Sequence, residues 1–226
     1  MAEQLSFELP GKTALGREDF FIAPSNALAV AMVENTSTWP ARKLMLVGPA
    51  GAGKTHLVHV WAAQTDARIV AARDLAGADI PALASGPVAV EDVERIAQDG
   101  TAQDALFHLH NLVLANGHNL LMSGQGAPRH WGLTLPDLQS RLDGTQIATL
   151  EAPDDTLLAA VLAKLFTDRQ IAPKPDVIPY LVKRMERSFE AAQQLVARLD
   201  HTALAEGRSI NRPLARQLLG AGDNSA

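Results

Sequence analysis

Short apolar runs alternate with helical patterns through the first two thirds of this 226-residue chain. Five of these runs have the length and continuity typical of strands buried on both faces of a parallel sheet. They are residues 44–47, 68–71, 87–90, 119–123 and 146–150. Because helical patterns separate the strands, the sequence predicts an α/β fold with a parallel five-stranded sheet.

Helical spacing of apolar residues predicts four helices around this sheet. They are residues 27–35, 55–63, 101–116 and 138–142. Ser25 or Asn26 is a candidate N-cap for the first helix, and Gly117 is a candidate C-cap for the third.

The pattern changes after Pro153, where strand signals stop. Four helices are predicted from there on, at residues 154–170, 175–187, 189–206 and 213–219. Several prolines lie at their starts, where a missing N–H costs little. We therefore expect a leader at residues 1–19, an α/β core at 20–152 and a helical lid domain at 153–226.

Composition narrows the class of protein. The chain is 47% hydrophobic and 20% charged, has no cysteine, and carries a formal net charge of −5. Its N-terminus lacks the layout of a secretory signal, and no apolar stretch reaches the ~18 residues of a membrane span. These features predict a cytoplasmic protein without a membrane partner. Since no dense run of Lys and Arg occurs, we expect contact with DNA only through a partner.

Residues 48–55 read GPAGAGKT, a complete phosphate-binding loop of the form GxxxxGK[ST]. An apolar strand precedes the motif and a helix follows it, which is the context that the motif requires. The glycines allow successive backbone N–H groups to face phosphate oxygens. Lys54 would reach the β- and γ-phosphates, and Thr55 would ligate Mg²⁺.

Polar side chains follow two later strands. Glu91 and Asp92 end the third strand, at the edge of a parallel sheet where ligands bind. One carboxylate would hold Mg²⁺ through water and its neighbour would orient an attacking water. Gln125 ends the next strand and is a candidate γ-phosphate sensor. The seven histidines show no metal-ligand spacing.

The order of these parts resembles the AAA+ ATPases, and more narrowly the AAA+ module of the replication initiator DnaA. The chain is most similar to the Hda family, short DnaA relatives that inactivate the initiator. The segments that carry the resemblance cover almost the whole chain: FIAPSNALA at 21–29, GPAGAGKTHL at 48–57, FHLHN at 107–111 and LTLPDLQSRL at 133–142.

The resemblance implies bound ADP or ATP with Mg²⁺, the metal being held by Thr55 and Glu91. The implied nucleotide-binding residues are Phe21, Ile22, Asn26, Gly48, Pro49, Gly51, Ala52, Gly53, Lys54, Thr55 and His56. Glu91, Asp92 and Gln125 fall at catalytic positions of the family, Gln125 where an Asp is common. Arg141 matches the arginine finger, which acts in trans. For the lid arginine called sensor 2, the best register gives Glu190, with Arg187 one turn earlier.

The leader also carries a resemblance. Residues 4–9 read QLSFEL, similar to the peptides by which Hda-like proteins dock on the DNA polymerase sliding clamp. Gln4 would bind a polar rim, while Leu5 and Phe7 or Leu9 would enter an apolar groove. Such a segment binds weakly because docking orders it.

The expected function is a clamp-docked regulator that promotes ATP hydrolysis by DnaA and so represses re-initiation of chromosomal replication. The acidic pair has the order Glu-Asp rather than the common Asp-Glu, and the shorter Asp92 displaces a catalytic water, which predicts weak intrinsic hydrolysis. Three alternatives stay open: a helicase-loader-type ATPase acting with single-stranded DNA, a non-catalytic clamp-bound adaptor, and a small-molecule kinase. Self-association as a homodimer also stays open.

Overall fold

A five-stranded parallel sheet forms the centre of the first part of the chain in the computed structural model, which describes residues 20–220. Its strands are β1 (Lys43–Val47), β2 (Arg68–Ala71), β3 (Val88–Glu91), β4 (Leu120–Gly124) and β5 (Ile147–Thr149). They lie in the order β2-β3-β4-β1-β5, and each neighbouring pair is parallel. The predicted sheet is confirmed, and each strand begins and ends within one residue of its prediction.

Both faces of the sheet are buried. Successive side chains of a strand point to opposite faces, so Met45 and Val47 join one apolar cluster while Leu44 and Leu46 join another. Helices cover each face, which explains why these strands appear in the sequence as continuous apolar runs.

Five helices accompany the sheet: α1 (Ala27–Glu34), α2 (Lys54–Thr65), α3 (Ile80–Leu83), α4 (Gly100–Ala115) and α5 (Pro136–Asp143). The short α3 was not predicted. Asn26 takes the N-cap position of α1, but its side chain makes no capping bond. Asn116 rather than Gly117 is the C-cap of α4, and Gly117 follows it with a φ of 81°. Asp99 caps the start of α4 by accepting a hydrogen bond from the backbone N–H of Ala102.

The rest of the described chain is helical and has its own apolar core. Its helices are α6 (Asp155–Asp168), α7 (Val177–Val182), α8 (Phe189–Ala205) and α9 (Arg212–Gly220). Leu158, Phe166, Leu181, Leu199 and Leu214 are buried together in this third cluster. The prediction that one helix continues to residue 187 is wrong. The chain turns after α7 so that Ser188, in extended conformation, can cap α8.

Between residues 20 and 220, no helix is long and apolar enough to cross a membrane.

Candidate functional site

The phosphate-binding loop connects β1 to α2 at the carboxyl edge of the sheet. Gly51 and Gly53 have φ angles of 69° and 93°, in the left-handed region that glycine adopts without strain. Gly53 is the N-cap of α2, and Lys54 is its first residue. The free N–H groups of the first turn therefore meet the curled loop and form a site suited to an anion.

Lys54 lies against the backbone of this loop. Its Nζ donates hydrogen bonds to the carbonyl oxygens of Gly48 and Pro49, both at 2.9 Å, and the residue is buried. Burial lowers the pKa of the Lys54 ammonium, although the carboxylates of Glu94, Asp92 and Glu91 oppose this shift. The cation is thus positioned at the loop, next to a group of acidic side chains.

The acidic side chains after β3 include one that the sequence analysis missed. Glu91 Oε1 and Glu94 Oε2 are buried, and neither has a hydrogen-bond partner within the described part of the chain. Asp92 has a φ of 56°, and its Oδ2 lies 3.1 Å from Arg95 Nε. Buried carboxylate oxygens without partners are costly, so these atoms are suited to a cation or to bound water.

A cavity of about 190 Å³ brings the predicted metal ligands together. Its lining residues are Thr55, Ala71, Ala72, Arg73, Glu91, Asp92 and Arg95. Within residues 20–220, no three His, Asp or Glu side chains are close enough to form a metal site of their own. Mg²⁺ retains waters and takes one or two protein oxygens plus phosphates. Thr55 and Glu91 fit that role, with a nucleotide completing the coordination.

The lid packs directly on the phosphate-binding loop. The backbone N–H of Phe189 donates to the carbonyl oxygen of Gly51 at 2.9 Å. A Cβ added at Gly51 would lie 2.4 Å from Ser188 Cβ, and one added at Gly53 would lie 2.8 Å from the Phe189 ring. Both glycines are therefore needed for the close approach of the lid as well as for the turn.

The segment before α1 lies near the same loop. The Phe20 ring meets the His56 ring edge to face, with centroids 5.0 Å apart. Asn26 Oδ1 accepts from the backbone N–H of Ala23, and its Nδ2 donates to the carbonyl oxygen of Phe21, both at 2.8 Å. The Asn26 side chain thus stabilises the conformation of this segment by binding its backbone. The side chains of Phe21 and Ile22 are 36% and 52% exposed, which leaves apolar surface for a ligand.

Gln125 directly follows β4 and is exposed. Its carbonyl oxygen accepts a hydrogen bond of 2.6 Å from Trp131 Nε1. A Cβ added at Gly124 would lie 2.4 Å from the Trp131 ring and 2.8 Å from Glu94 Oε2. Glu94 and Trp131 therefore cover the end of β4, while the Gln125 side chain lies at the surface.

Arg141 lies away from this site. It is exposed on α5, and its carbonyl oxygen accepts a 2.8 Å hydrogen bond from Lys43 Nζ. Lys43 begins β1 whereas the phosphate-binding loop follows Val47 at the other end. At about 3.3 Å per residue, the strand places Lys43 about 13 Å from the start of the phosphate-binding loop. The Arg141 backbone is therefore attached to the end of β1 opposite the phosphate-binding loop.

The two candidates for the lid arginine differ in their contacts. Arg187 Nη1 donates to the carbonyl oxygen of Pro153 at 3.3 Å, and Arg187 Nη2 pairs with Asp155. Glu190 is exposed and accepts a hydrogen bond from Gln194. Arg187 thus ties the start of α6 to the turn before α8. The predicted clamp-binding residues Gln4, Leu5, Phe7 and Leu9 lie outside the described residues.

Sequence reasoning missed Glu94, Ser188 and Phe189. A signal for Glu94 was present, because it is a third acidic residue close behind Glu91 and Asp92 at the end of β3. No local signal marks Ser188 and Phe189, since they reach the loop from more than 130 positions later in the sequence.

Comparison with known proteins identifies the two parts of the fold. Residues 155–219 match the family model of the Hda lid domain. Domain III of the replication initiation protein DnaA from Thermotoga maritima is 18% identical, with a TM-score of 0.78. The match covers 94% of this chain and 98% of that one.

Two longer proteins are also similar. AMPPCP-bound DnaA from Aquifex aeolicus is 19% identical, with a TM-score of 0.66 and coverage of 81% of this chain and 64% of that one. The RuvB Holliday junction branch migration motor of Thermotoga maritima is 18% identical, with a TM-score of 0.64 and coverage of 80% and 61%. The chain thus spans less than two thirds of either. Together these matches confirm the predicted AAA+ fold.

Proposed function

Since the chain is a DnaA-related AAA+ protein with an Hda-type lid, we propose that it is a regulator that promotes ATP hydrolysis by the replication initiator DnaA. In this proposal it works while docked on the DNA polymerase sliding clamp. The product is ADP-bound, inactive initiator, so an origin that has fired is not fired again.

Nucleotide binding by this chain is supported by its own loop and by its relatives. The glycine turn, the buried Lys54 and the orphan oxygen of Glu91 converge on one edge of the sheet. The similar DnaA from Aquifex aeolicus binds the ATP analogue AMPPCP. Bound ADP or ATP with Mg²⁺ would join the loop to the lid, because Ser188 and Phe189 already contact the glycines that form the phosphate site.

The position of Arg141 is the observation that carries the proposal. It is exposed, and its helix is fixed to the start of β1, about 13 Å along the strand from the chain's own phosphate site. An arginine so placed would enter the ATP site of a neighbouring protein and stabilise the negative charge of the transition state. In GTPases such an arginine contributes about 10³–10⁵ in rate.

The leader would bring the protein to the sliding clamp, near the initiator. Residues 4–9 would dock weakly on the clamp, and weak docking is enough to raise the local concentration of the protein near DNA-associated initiator. The chain's own ATP turnover is proposed to be slow. In the structure Asp92 pairs with Arg95, so the side chain expected to orient water is engaged elsewhere.

The test is ATP hydrolysis by purified initiator with DNA-loaded clamp, with and without this protein. We expect stimulation that requires the clamp. A double variant, Leu5→Ala with Phe7→Ala, should lose most of the stimulation at low protein concentration and recover it at high concentration, because only the tether is weakened. Matched substitutions in the same leader, Leu15→Ala with Thr13→Ala, are the control.

Other outcomes of this assay would support one of the alternative functions. No stimulation, together with intrinsic ATPase activity that rises with single-stranded DNA, would indicate a helicase-loader-type ATPase. Clamp and initiator binding without stimulation would indicate a non-catalytic adaptor. In either case the proposed regulation is wrong.

A further inference from the structure

The lid carries a second cavity, separate from the nucleotide site, on the surface formed by α7 and α9. It has a volume of about 810 Å³ and is lined by Tyr180, Arg184, Arg212, Pro213, Arg216, Gln217 and Gly220. We call it the arginine groove. Three of its seven lining residues are arginines, and none is acidic, although the whole chain has a net charge of −5.

The three guanidinium groups are exposed, and none has an anionic partner among the described residues. No ion pair or side-chain hydrogen bond involves Arg184, Arg212 or Arg216 within residues 20–220. Arg184 and Arg212 stack on the Tyr180 ring, with Cζ 4.3 and 4.9 Å from its centroid. Stacking uses the faces of the guanidinium groups and leaves their in-plane N–H donors available. Like charges are therefore held close together with their donors unused.

We propose that the arginine groove binds the phosphate backbone of DNA. Planar guanidinium forks match phosphate oxygens, and phosphate contacts need no apolar anchor. Arg212 and Arg216 are one helical turn apart, so α9 presents two cations separated by about 6 Å along its axis. The groove is open to solvent and has no enclosed pocket for a base, which suits a polymer that passes across it.

A protein partner fits this groove less well. Protein interfaces derive most of their energy from buried apolar and aromatic anchors. The one aromatic ring in the groove, Tyr180, is already covered by two guanidinium groups. An acidic protein would thus find charge but no apolar anchor, whereas a phosphate backbone requires only the charge.

The expected contact is weak and strongly dependent on salt. Three phosphate contacts predict a slope of about −2.7 for log Kobs against log[salt], or about 40-fold weaker binding at 200 mM than at 50 mM. Direct binding departs from the expectation that DNA is contacted only through a partner. The sequence shows no basic run because the three arginines are brought together only by folding. Such a contact would act when another interaction already holds the protein near DNA.

The test is fluorescence anisotropy of a labelled 20-base-pair duplex, titrated with the full chain alone at several salt concentrations. No clamp or initiator is present, so the result is independent of the proposed regulation. The groove variant is Arg212→Gln with Arg216→Gln. The control variant is Arg129→Gln with Arg169→Gln, which removes the same charge from exposed arginines outside the groove. Melting temperatures verify that both variants fold.

We expect the slope of log Kobs against log[salt] to become shallower in the groove variant, from about −2.7 to about −0.9, and to stay unchanged in the control. No binding at 50 mM salt, or equal losses in both variants, would overturn the proposal. Polyglutamate at the same charge concentration is the competitor for specificity. If it displaces DNA as well as unlabelled duplex does, the groove is a general polyanion surface and the assignment to DNA is wrong.

Discussion

Lys43 is expected to position Arg141, the proposed arginine finger, from the end of β1 opposite the phosphate-binding loop. Its Nζ donates to the carbonyl oxygen of Arg141 at 2.8 Å and lies 3.4 Å from His110 Nε2. Burial and the nearby Arg141 guanidinium lower the pKa of Lys43. The substitution Lys43→Met keeps an unbranched side chain of similar length and removes the donor.

The cost to stability follows from these contacts. A hydrogen bond from a charged donor contributes about 1.5–3 kcal/mol. The Arg141 carbonyl keeps a second donor, Thr145 Oγ1 at 2.9 Å, and methionine avoids the desolvation of a buried ammonium. We therefore expect a loss of about 1–2 kcal/mol, which lowers the Tm by about 2–8 °C for a chain of this size.

The cost to function should be larger. The last turn of α5 carries Arg141, and a displacement of about 1 Å at a catalytic group can reduce the rate about 100-fold. The assay is stimulation of initiator ATP hydrolysis at saturating clamp, with clamp and nucleotide affinities measured in parallel. Lys43→Met should lose most of the stimulation while both affinities remain. Lys183→Met, an exposed lysine after α7, is the control.

Two results would refute this reasoning. Full stimulation by Lys43→Met, despite a lowered Tm, would mean that the hydrogen bond does not set the position of Arg141. A parallel loss of clamp binding, nucleotide binding and stimulation would mean that the substitution damages the whole fold.

Three further predictions concern stability, binding and turnover. Burial lowers the pKa of His110 from 6.5 to about 4, so between pH 6.5 and pH 4 the unfolded chain binds a proton at His110 and the folded chain does not. The free energy of unfolding should therefore fall by about 2 kcal/mol from pH 7 to pH 5, as measured by urea unfolding. The fall should be smaller in His110→Gln. Gly51→Ala places a Cβ 2.4 Å from the Ser188 Cβ at a φ of 69°, and it should weaken the binding of a fluorescent ADP at least about tenfold. The control Gly86→Ala, whose added Cβ has no atom within 4 Å, should not weaken it. Equal affinities of the two variants would contradict the lid contact. Asp92→Glu adds the missing methylene and should raise intrinsic phosphate release, by up to about 100-fold; an unchanged rate would place the defect elsewhere.

The sequence predicted the sheet because all five strands are short and apolar. The central strands β1, β3 and β4 are buried almost throughout, whereas the edge strands β2 and β5 are partly exposed. Short length and apolar continuity, with polar residues on either side, were therefore clearest for the centre of the sheet. The phosphate-binding loop was predictable for a different reason: its glycines are demanded by backbone angles, and the motif is contiguous.

Features created by folding were not predictable. Lys43 is a charged residue directly before the strand predicted at 44–47, yet it is buried against α5. The contact of Phe189 with the loop, and the gathering of Arg184 with Arg212, join positions that are distant in sequence. The helix predicted to reach residue 187 ends at Val182, and the chain then turns until Ser188, in extended conformation, caps α8; apolar spacing does not reveal this turn.

We propose above that Arg141 acts on the ATP of another protein. The most direct measurement is single-turnover hydrolysis of ATP pre-bound to the initiator, with DNA-loaded clamp and either the original chain or Arg141→Ala. We expect Arg141→Ala to lower the stimulated rate by about 10³-fold or to the unstimulated level, with clamp binding unchanged. Undiminished stimulation by Arg141→Ala would contradict it.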